Sequence, residues 1–286
     1  MIDILIQGLL LGGLYCLFAL GLSLMYGVMR VTNIAHGDFM VLFAFATISL
    51  SSAWSLHPAL AGLLLLPVAF AVGYLLQHWL LNSTIGKDPL PSLVVTFGIS
   101  FVIQNLLLEV YSADPRMAQS GGLGTSSLSL CGDVAIGVLP LLVFAVALAC
   151  TGGLQMLFNH TRIGRAFRAV ADDRDIAELM GMDARRIYAL ATAIAFVVIA
   201  IGGALQAMRT TVSPADGPLL LIFAFEAVII GGMGSFWGTL VGALILGITQ
   251  QVGFAFAPVW GLWFGHIAFL VMLLVRPQGL FPKTRG

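Results

Sequence analysis

Residues 5–26 read LIQGLLLGGLYCLFALGLSLMY, an uncharged and largely apolar run. A helix needs about 20 such residues to cross the hydrocarbon core of a bilayer. Similar runs recur along the chain, in which 59% of the 286 residues are hydrophobic and 9% are charged. An ordinary soluble domain carries roughly 25% charged residues. The composition therefore indicates an integral membrane protein with several spans.

Helices rather than strands are expected to form these spans, because the alternation of polar and apolar residues that is typical of membrane barrels is absent. We predict an all-α, polytopic bundle of eight or nine transmembrane helices, with residues 1–286 forming a single transmembrane domain. The segments 37–53 and 218–233 are short and have glycine-rich joints beside them, so either could be a half-helix. The nine candidate spans are 5–26, 37–53, 57–81, 92–111, 134–158, 187–208, 218–233, 236–256 and 259–275.

Lysine and arginine residues indicate the orientation of the bundle. If nine segments cross alternately from an outside N-terminus, only Arg116 and Arg209 fall outside. The other eleven fall inside: Arg30, Lys87, Arg162, Arg165, Arg168, Arg174, Arg185, Arg186, Arg276, Lys283 and Arg285. Short loops rich in these residues remain in the cytoplasm. We therefore predict a cytoplasmic loop over 159–186, a cytoplasmic C-terminus and an external loop over 112–133.

Motifs for catalysis, nucleotide binding and metal binding are missing from the sequence. The single Gly-Lys step, at 86–87, lacks the upstream glycine of a phosphate-binding loop. No carboxylate pair, nucleophile elbow or His/Glu metal signature occurs at a usable spacing. Cys16 and Cys150 lie in apolar runs and Cys131 in a polar stretch, so neither a disulfide nor a cysteine metal site is expected. We predict no catalytic residue, no metal site and no cofactor bound by this chain.

The segment 161–186 reads TRIGRAFRAVADDRDIAELMGMDARR and is charged on one side and apolar on the other. This pattern predicts a surface helix, which Gly181 should end before Asp183 caps the next span. One interpretation is an interfacial helix with a solvated polar face. The other is a docking element that fits a groove on a partner protein. The residues expected on the apolar face are Ile163, Phe167, Val170, Ala177 and Met180.

The same segment carries a family resemblance. Its run Gly164-Arg165-Ala166-x-Arg168-Ala169, followed by Asp172 or Asp173, Ala177 and Met180-Gly181, resembles the cytoplasmic loop of the high-affinity branched-chain amino-acid ABC transporter permeases. Three further segments are similar in the same order, so that the resemblance covers nearly the whole chain. They are Tyr26-Gly27 with Asn33-Ile34-Ala35-His36-Gly37-Asp38-Phe39-Met40; Phe97-Gly98-Ile99-Ser100 with Gln104-Asn105; and Gly231-Gly232-Met233-Gly234-Ser235 with Gly238 and Arg276-Pro277-Gln278-Gly279-Leu280.

The resemblance implies a permease subunit of an ATP-driven importer in the bacterial inner membrane. Its implied partners are a second homologous permease, two cytoplasmic ATPase subunits that bind ATP and Mg²⁺, a periplasmic solute-binding protein and membrane lipid. Nucleic acid is not among them. Residues of the loop would form a coupling helix that touches an ATPase subunit. The implied coupling residues are Gly164, Arg165, Ala166, Arg168, Ala169, Asp172, Ala177 and Gly181.

Polar residues inside the predicted spans are candidates for the translocation path, because such groups are costly in lipid and tend to face protein or water. Asn33, His36 and Asp38 follow the first apolar run. They could belong to an irregular segment that lines a cavity, as in transporters with broken helices, or to a polar turn at the interface. Gln104 and the adjacent Asn105 could line the path or tie helices together.

Glu226 and the glycines that follow it complete the list of path candidates. Glu226 could face the path or satisfy a neighbouring helix. Gly231, Gly232 and Gly234 place three glycines within four residues and weaken any helix there. We predict a hinge or break at this point, near the path.

Other functions remain open at this stage. Within the resemblance, urea, short amides or aromatic acids are alternative solutes. A gradient-driven secondary transporter would need a chain of membrane carboxylates or histidines, and Glu226, His266 and Asp38 are sparse for that role. An intramembrane enzyme would need a nucleophile and a base on facing helices, and no such pair is visible.

Overall fold

The computed structural model describes residues 2–85, 90–129 and 135–281. Lys87, Cys131, Lys283 and Arg285 lie outside these ranges. The described helices are α1 (Ile2–Met29), α2 (His36–Trp54), α3 (Pro58–Leu75), α4 (Leu90–Tyr111), α5 (Gly122–Thr125), α6 (Val138–His160), α7 (Arg162–Asp172), α8 (Arg174–Leu179), α9 (Ala184–Arg209), α10 (Gly217–Gly231), α11 (Phe236–Phe256) and α12 (Trp260–Val275). A π-helical turn (Leu76–Leu80) and a 3₁₀ turn (Leu81–Ser83) extend α3.

Seven of the described helices are long and apolar enough to cross a membrane: α1, α2, α3 with its extension, α4, α6, α9 and α11. The polytopic helical architecture predicted from the sequence is therefore confirmed. The shorter apolar helices α10 and α12 correspond to the predicted segments 218–233 and 259–275. Their membrane crossing, and with it a total of eight or nine spans, stays a prediction.

One predicted span begins later than expected. Two short strands, β1 (Ser127–Ser129) and β2 (Ala135–Gly137), pair antiparallel beside the predicted external loop. Residues 135–137 therefore belong to a strand, and the helix predicted over 134–158 starts at Val138.

The two longest helices form the centre of the bundle. Within an apolar stretch of 18 residues in each span, 67% of the residues of α1 and 78% of those of α9 are buried. The corresponding share is 22% in the α3 span and in α4. Glycines allow α1 to approach α11 closely, because a Cβ added at Gly12 would lie 2.7 Å from the Cα of Leu244. Close backbone contact at small residues is a common way to pack helices in lipid.

Helix α2 begins well inside the bundle rather than at its surface. The His36 Nε2 atom lies 2.7 Å from the carbonyl oxygen of Phe18 in α1. Phe18 precedes the end of α1 at Met29 by eleven residues, or about 16 Å at the usual helical rise. The non-helical residues 30–35 therefore bring the chain back to this depth before α2 starts.

The connections divide between two ends of the bundle. At the arginine-rich end, an Arg30 nitrogen donates to the carbonyl oxygen of Ala171 at 3.3 Å, and an added Cβ at Gly27 would contact Gly234. At the opposite end, Arg116 and Val212 form a two-way backbone bridge with N to O distances of 3.0 and 2.8 Å. These contacts join loops that the predicted alternation of the spans places on the same side of the membrane.

Candidate translocation and coupling sites

The polar residues before and within the first turn of α2 are buried. Asn33, His36 and Asp38 are each at most 1% exposed. The Asn33 side-chain oxygen accepts a hydrogen bond from the backbone nitrogen of Ala35 at 3.0 Å, which shapes the turn into α2. The Asn33 Nδ2 and His36 Nδ1 atoms have no hydrogen-bond partner in the described part of the chain. An irregular segment, one of the two alternatives that the sequence left open, is present, and it is closely packed.

Asp38 joins three helices. Gln104 of α4 donates its Nε2 hydrogens to the Asp38 Oδ1 atom at 2.9 Å and to the Ser100 hydroxyl oxygen at 3.1 Å. A Cβ at Gly217, the first residue of α10, would overlap the Asp38 carboxylate. Helix N-termini carry partial positive charge, so the starts of α2 and α10 both stabilise this carboxylate. Among the described residues, no lysine or arginine forms an ion pair with it.

Glu226 belongs to a second buried group. Its carboxylate contacts the His266 Nδ1 atom and ties α10 to α12. The Tyr15 hydroxyl donates to the Gln250 Oε1 atom at 2.6 Å and ties α1 to α11. The ring of Phe223 lies between the pairs, with its centroid 4.9 Å from that of Tyr15 and 6.4 Å from that of His266. The described hydrogen bonds and ion pairs do not connect this group to Asp38.

The helix break predicted at the glycines occurs there. Helix α10 ends at Gly231, and Gly232 has a φ of 102°, a region that favours glycine. The residues after α12 cover the break, because the backbone nitrogens of Leu280 and Phe281 donate to the carbonyl oxygens of Ile230 and Gly231 at 2.9 and 3.0 Å. These bonds satisfy carbonyls that a helix end leaves open. We call residues 276–281 the C-terminal segment.

The surface helix predicted within the segment 161–186 is two helices, α7 and α8, which meet at Asp173. The Asp173 carboxylate accepts from the backbone nitrogen of Ile176 at 3.0 Å and so starts a new helix. Phe167, Val170 and Ala177 are buried as predicted.

Two residues assigned to the apolar face were placed wrongly. Ile163 is 43% exposed and Met180 is 76% exposed. The break at Asp173 changes the direction of the face before Met180, whereas Ile163 lies in the first turn of α7, ahead of the break. Asp183 caps α9 as predicted, because its carboxylate accepts a hydrogen bond from the Arg186 backbone nitrogen at 3.2 Å. Gly181 follows the end of α8 and has a φ of 86°, a region that favours glycine.

The arginines of this region have different environments. Arg165 is exposed, whereas Arg168 donates to the carbonyl oxygen of Phe158 at the end of α6. Arg174 forms an ion pair with Glu178 at 3.0 Å. The hydrogen bond with Glu178 holds the pKa of Arg174 above its usual value. The other residues predicted to couple are buried (Gly164, Ala177), half-buried (Ala166, Ala169) or exposed (Asp172, Gly181).

Comparison with known proteins identifies the family. A family model described as the permease component of a branched-chain amino acid transport system matches residues 4–276. The chain belongs to this permease family. The permease is 29% identical to the high-affinity branched-chain amino acid transport system permease protein BraD of Pseudomonas aeruginosa, over 98% of this chain and 95% of BraD. It is 27% identical to the permease protein LivH of Escherichia coli, over 97% and 94% of the two chains.

A solved structure supports the fold alone. The permease matches PsaBC from Streptococcus pneumoniae, solved in complex with Fab, with a TM-score of 0.52 and 13% sequence identity. The match covers 96% of this chain and 92% of the other. Family membership and the apolar helices together establish a multi-pass membrane permease.

The path candidates of the permease fall into three places. Asn33, His36, Asp38 and Gln104 lie together at the start of α2, and Glu226 lies with His266. Gly231 and Gly232 lie under the C-terminal segment, whereas Gly234 lies beside Gly27. Sequence reasoning missed the Tyr15–Gln250 pair and the exposed leucine of α8. A tyrosine and a glutamine at mid-span were the available signals for the former, since buried polar groups need partners.

Proposed function

We propose that this permease is one membrane subunit of an ATP-driven importer in the bacterial inner membrane. It moves branched-chain or related hydrophobic amino acids, delivered by a periplasmic binding protein, into the cytoplasm. A second homologous permease completes the path, and two ATPase subunits bind ATP and Mg²⁺ and hydrolyse the nucleotide. The chain itself is not an enzyme. Family membership supports this proposal, and the observation that carries it is the exposed surface of α8.

Helix α8 and the residue after it expose three apolar side chains among charged ones, outside the long apolar helices. Leu179 is 87% exposed, Met180 is 76% exposed and Ile176 is 60% exposed. Burying one such side chain stabilises a contact by about 1.5–3 kcal/mol. Exposed apolar clusters with a polar rim are typical of protein contact surfaces. We call these three residues the α8 apolar cluster and assign it to the ATPase contact.

Helix α7 connects this contact to the bundle. Phe167 of α7 is fully buried, and its ring lies 5.4 Å from that of Phe158 in α6. The bond from Arg30 to Ala171 adds a link to the end of α1. When ATP binding draws the ATPase subunits together, α7 and α8 move with them and reorient α6 and α1. Access to the path then alternates between the two sides of the membrane.

The solute class follows from the family and from the apolar spans. Aliphatic or aromatic amino acids suit a path with mostly apolar walls, and the binding protein supplies most of the charge recognition. Urea, short amides and aromatic acids are the alternative solutes within this mechanism. A gradient-driven transporter is the alternative outside it. Competition by each solute against the uptake of labelled leucine, supplied outside the vesicles with its binding protein, separates these solutes.

The deciding experiment is co-purification with the ATPase subunits followed by an ATPase assay. Leu179→Asp places a charge in the α8 apolar cluster and should remove the ATPase subunits, and Arg165→Glu should weaken their recovery. Leu128→Asp is the matched control, because Leu128 is also an exposed leucine, at 52%, in the predicted external region. Recovery with the intact chain and the control alone supports the proposal. If no ATPase accompanies the intact chain and a gradient alone drives uptake, the importer proposal fails.

A further inference from the structure

The exposed face of α4 differs from the other exposed faces of the bundle. From Leu90 to Tyr111, α4 packs chiefly against α2, so most of its surface is uncovered. One line of this surface contains Phe97, Phe101 and Asn105 at four-residue intervals, which places them on one side of a helix. Phe97 is 52% exposed and Phe101 is 57% exposed, and Asn105 is also exposed.

The Asn105 side chain forms no hydrogen bond to another helix among the described residues. Its Nδ2 atom donates to the carbonyl oxygen of Phe101 in the same helix at 2.7 Å, and no other hydrogen bond of this carboxamide is found among the described residues. Its neighbour Gln104 instead reaches Asp38 in α2. The two amides therefore point in different directions, and only that of Gln104 holds the bundle together.

The depth of Asn105 makes contact with lipid unfavourable. It lies six residues before the end of α4 at Tyr111, which is about 9 Å along the helix axis. A carboxamide at such a depth loses hydrogen bonds that lipid cannot replace. By contrast, the exposed residues of α3 from Ala59 to Leu75 are Ala, Leu, Pro, Val and Phe, and those of α12 are Trp, Leu, Ile and Val. Those two faces suit lipid, and the α4 face does not.

Space is also available on this face. A Cβ added at Gly98 would meet nothing within 4 Å. The rings of Phe97 and Phe101 are edge to face with centroids 5.2 Å apart, which leaves a ring surface beside Gly98. An apolar side chain fits against these rings, and the carboxamide, about 6 Å further along the helix from Phe101, offers a donor and an acceptor to a polar group.

We infer that the face of α4 formed by Phe97, Gly98, Phe101 and Asn105 is the wall of the solute path in this subunit, and that it contacts an amino acid with an apolar side chain. The inference rests on the proposed function and names the surface that the proposal leaves open. The rings contact the side chain of the solute. Asn105 hydrogen-bonds its amino or carboxylate group during passage.

Cysteine labelling tests whether this face meets water. In a chain without native cysteines, assembled with its partners in vesicles, Phe101→Cys is compared with Leu64→Cys. Leu64 in α3 is a matched control, because it is 53% exposed on an apolar face. The reactive thiolate forms in water, so a charged maleimide should label Phe101→Cys about tenfold faster than Leu64→Cys in at least one of two states, with and without a bound nucleotide analogue. Saturating leucine with its binding protein should slow that labelling.

Equal labelling rates for the two variants in both nucleotide states overturn the inference, whether the face meets lipid or a dry subunit contact. Uptake gives a second readout. Asn105→Leu should lower leucine uptake about tenfold, the effect of one lost hydrogen bond, while Asn105→Gln retains most of it. Full uptake by Asn105→Leu also contradicts the inference. ATPase recovery is scored separately, so failure of the importer proposal is distinguishable from failure at α4.

Discussion

Replacement of Gly232 by alanine should detach the C-terminal segment from the end of α10. Gly232 has a φ of 102°, and a Cβ added there would lie 2.6 Å from the carbonyl oxygen of Phe281. An alanine must therefore adopt an unfavourable backbone conformation and displace the segment that covers it. Both effects act at one position, which makes the change informative.

The cost can be estimated from the structure. A non-glycine residue in a sparsely populated backbone region costs about 1–3 kcal/mol. Displacement of the segment breaks the hydrogen bonds from Leu280 and Phe281 to the end of α10, each worth about 1 kcal/mol. We expect Gly232→Ala to lower the free energy of unfolding by about 3–5 kcal/mol.

Unfolding of the purified protein by SDS in mixed micelles measures this change, and cleavage by chymotrypsin after Leu280 reports release of the segment. Gly152→Ala is the control, because Gly152 is helical and an added Cβ there meets nothing within 4 Å. That substitution should be neutral or stabilise the helix by up to about 1 kcal/mol. Equal stability of Gly232→Ala and Gly152→Ala would refute the role assigned to the C-terminal segment.

Three further predictions concern the helix contacts. In a double-mutant cycle of Glu226→Gln and His266→Gln, the unfolding free energies should show a coupling of about 1–3 kcal/mol, and additive effects would contradict a direct contact. Asp38→Asn keeps an acceptor for Gln104, so in SDS unfolding it should lower the free energy of unfolding less than Asp38→Leu, which should lower it by about 1–3 kcal/mol. The reverse order would exclude the hydrogen bond. Gly12→Val should separate α1 from α11 and cost about 1–3 kcal/mol in the same assay, and a neutral result would argue against close packing there.

Local patterns were enough to predict most of the spans. The predicted segment 236–256 has the bounds of α11, and 187–208 falls inside α9, because long apolar runs carry their own signal. The division at Asp173 was missed although its signal was local. An aspartate that can accept a hydrogen bond from the backbone nitrogen three residues later often caps the start of a helix. The apolar residues of the two short helices follow one another closely enough to be taken for a single helix.

Contacts between distant parts of the chain could not be predicted in the same way. The sequence showed that Asp38 and Gln104 were polar residues within apolar surroundings, and the structure shows that they bond across helices. Likewise, the glycines at 231–234 indicated a helix break, but the segment that covers them lies some 45 residues further on. Such pairings depend on the packing of whole helices, which no single stretch of sequence specifies.

The depth at which α2 begins has a consequence for synthesis. Residues 30–38 leave the ribosome long before the residues that contact them in the folded protein. The Thr96 hydroxyl oxygen accepts a hydrogen bond from the Ile34 nitrogen at 3.2 Å, and Gly217 packs on Asp38. Polar backbone and side chains cannot rest unpaired in lipid. The start of α2 must therefore stay near water or the insertion machinery until α4 and α10 are made. A nascent chain halted before Gly217 should leave this helix incompletely inserted.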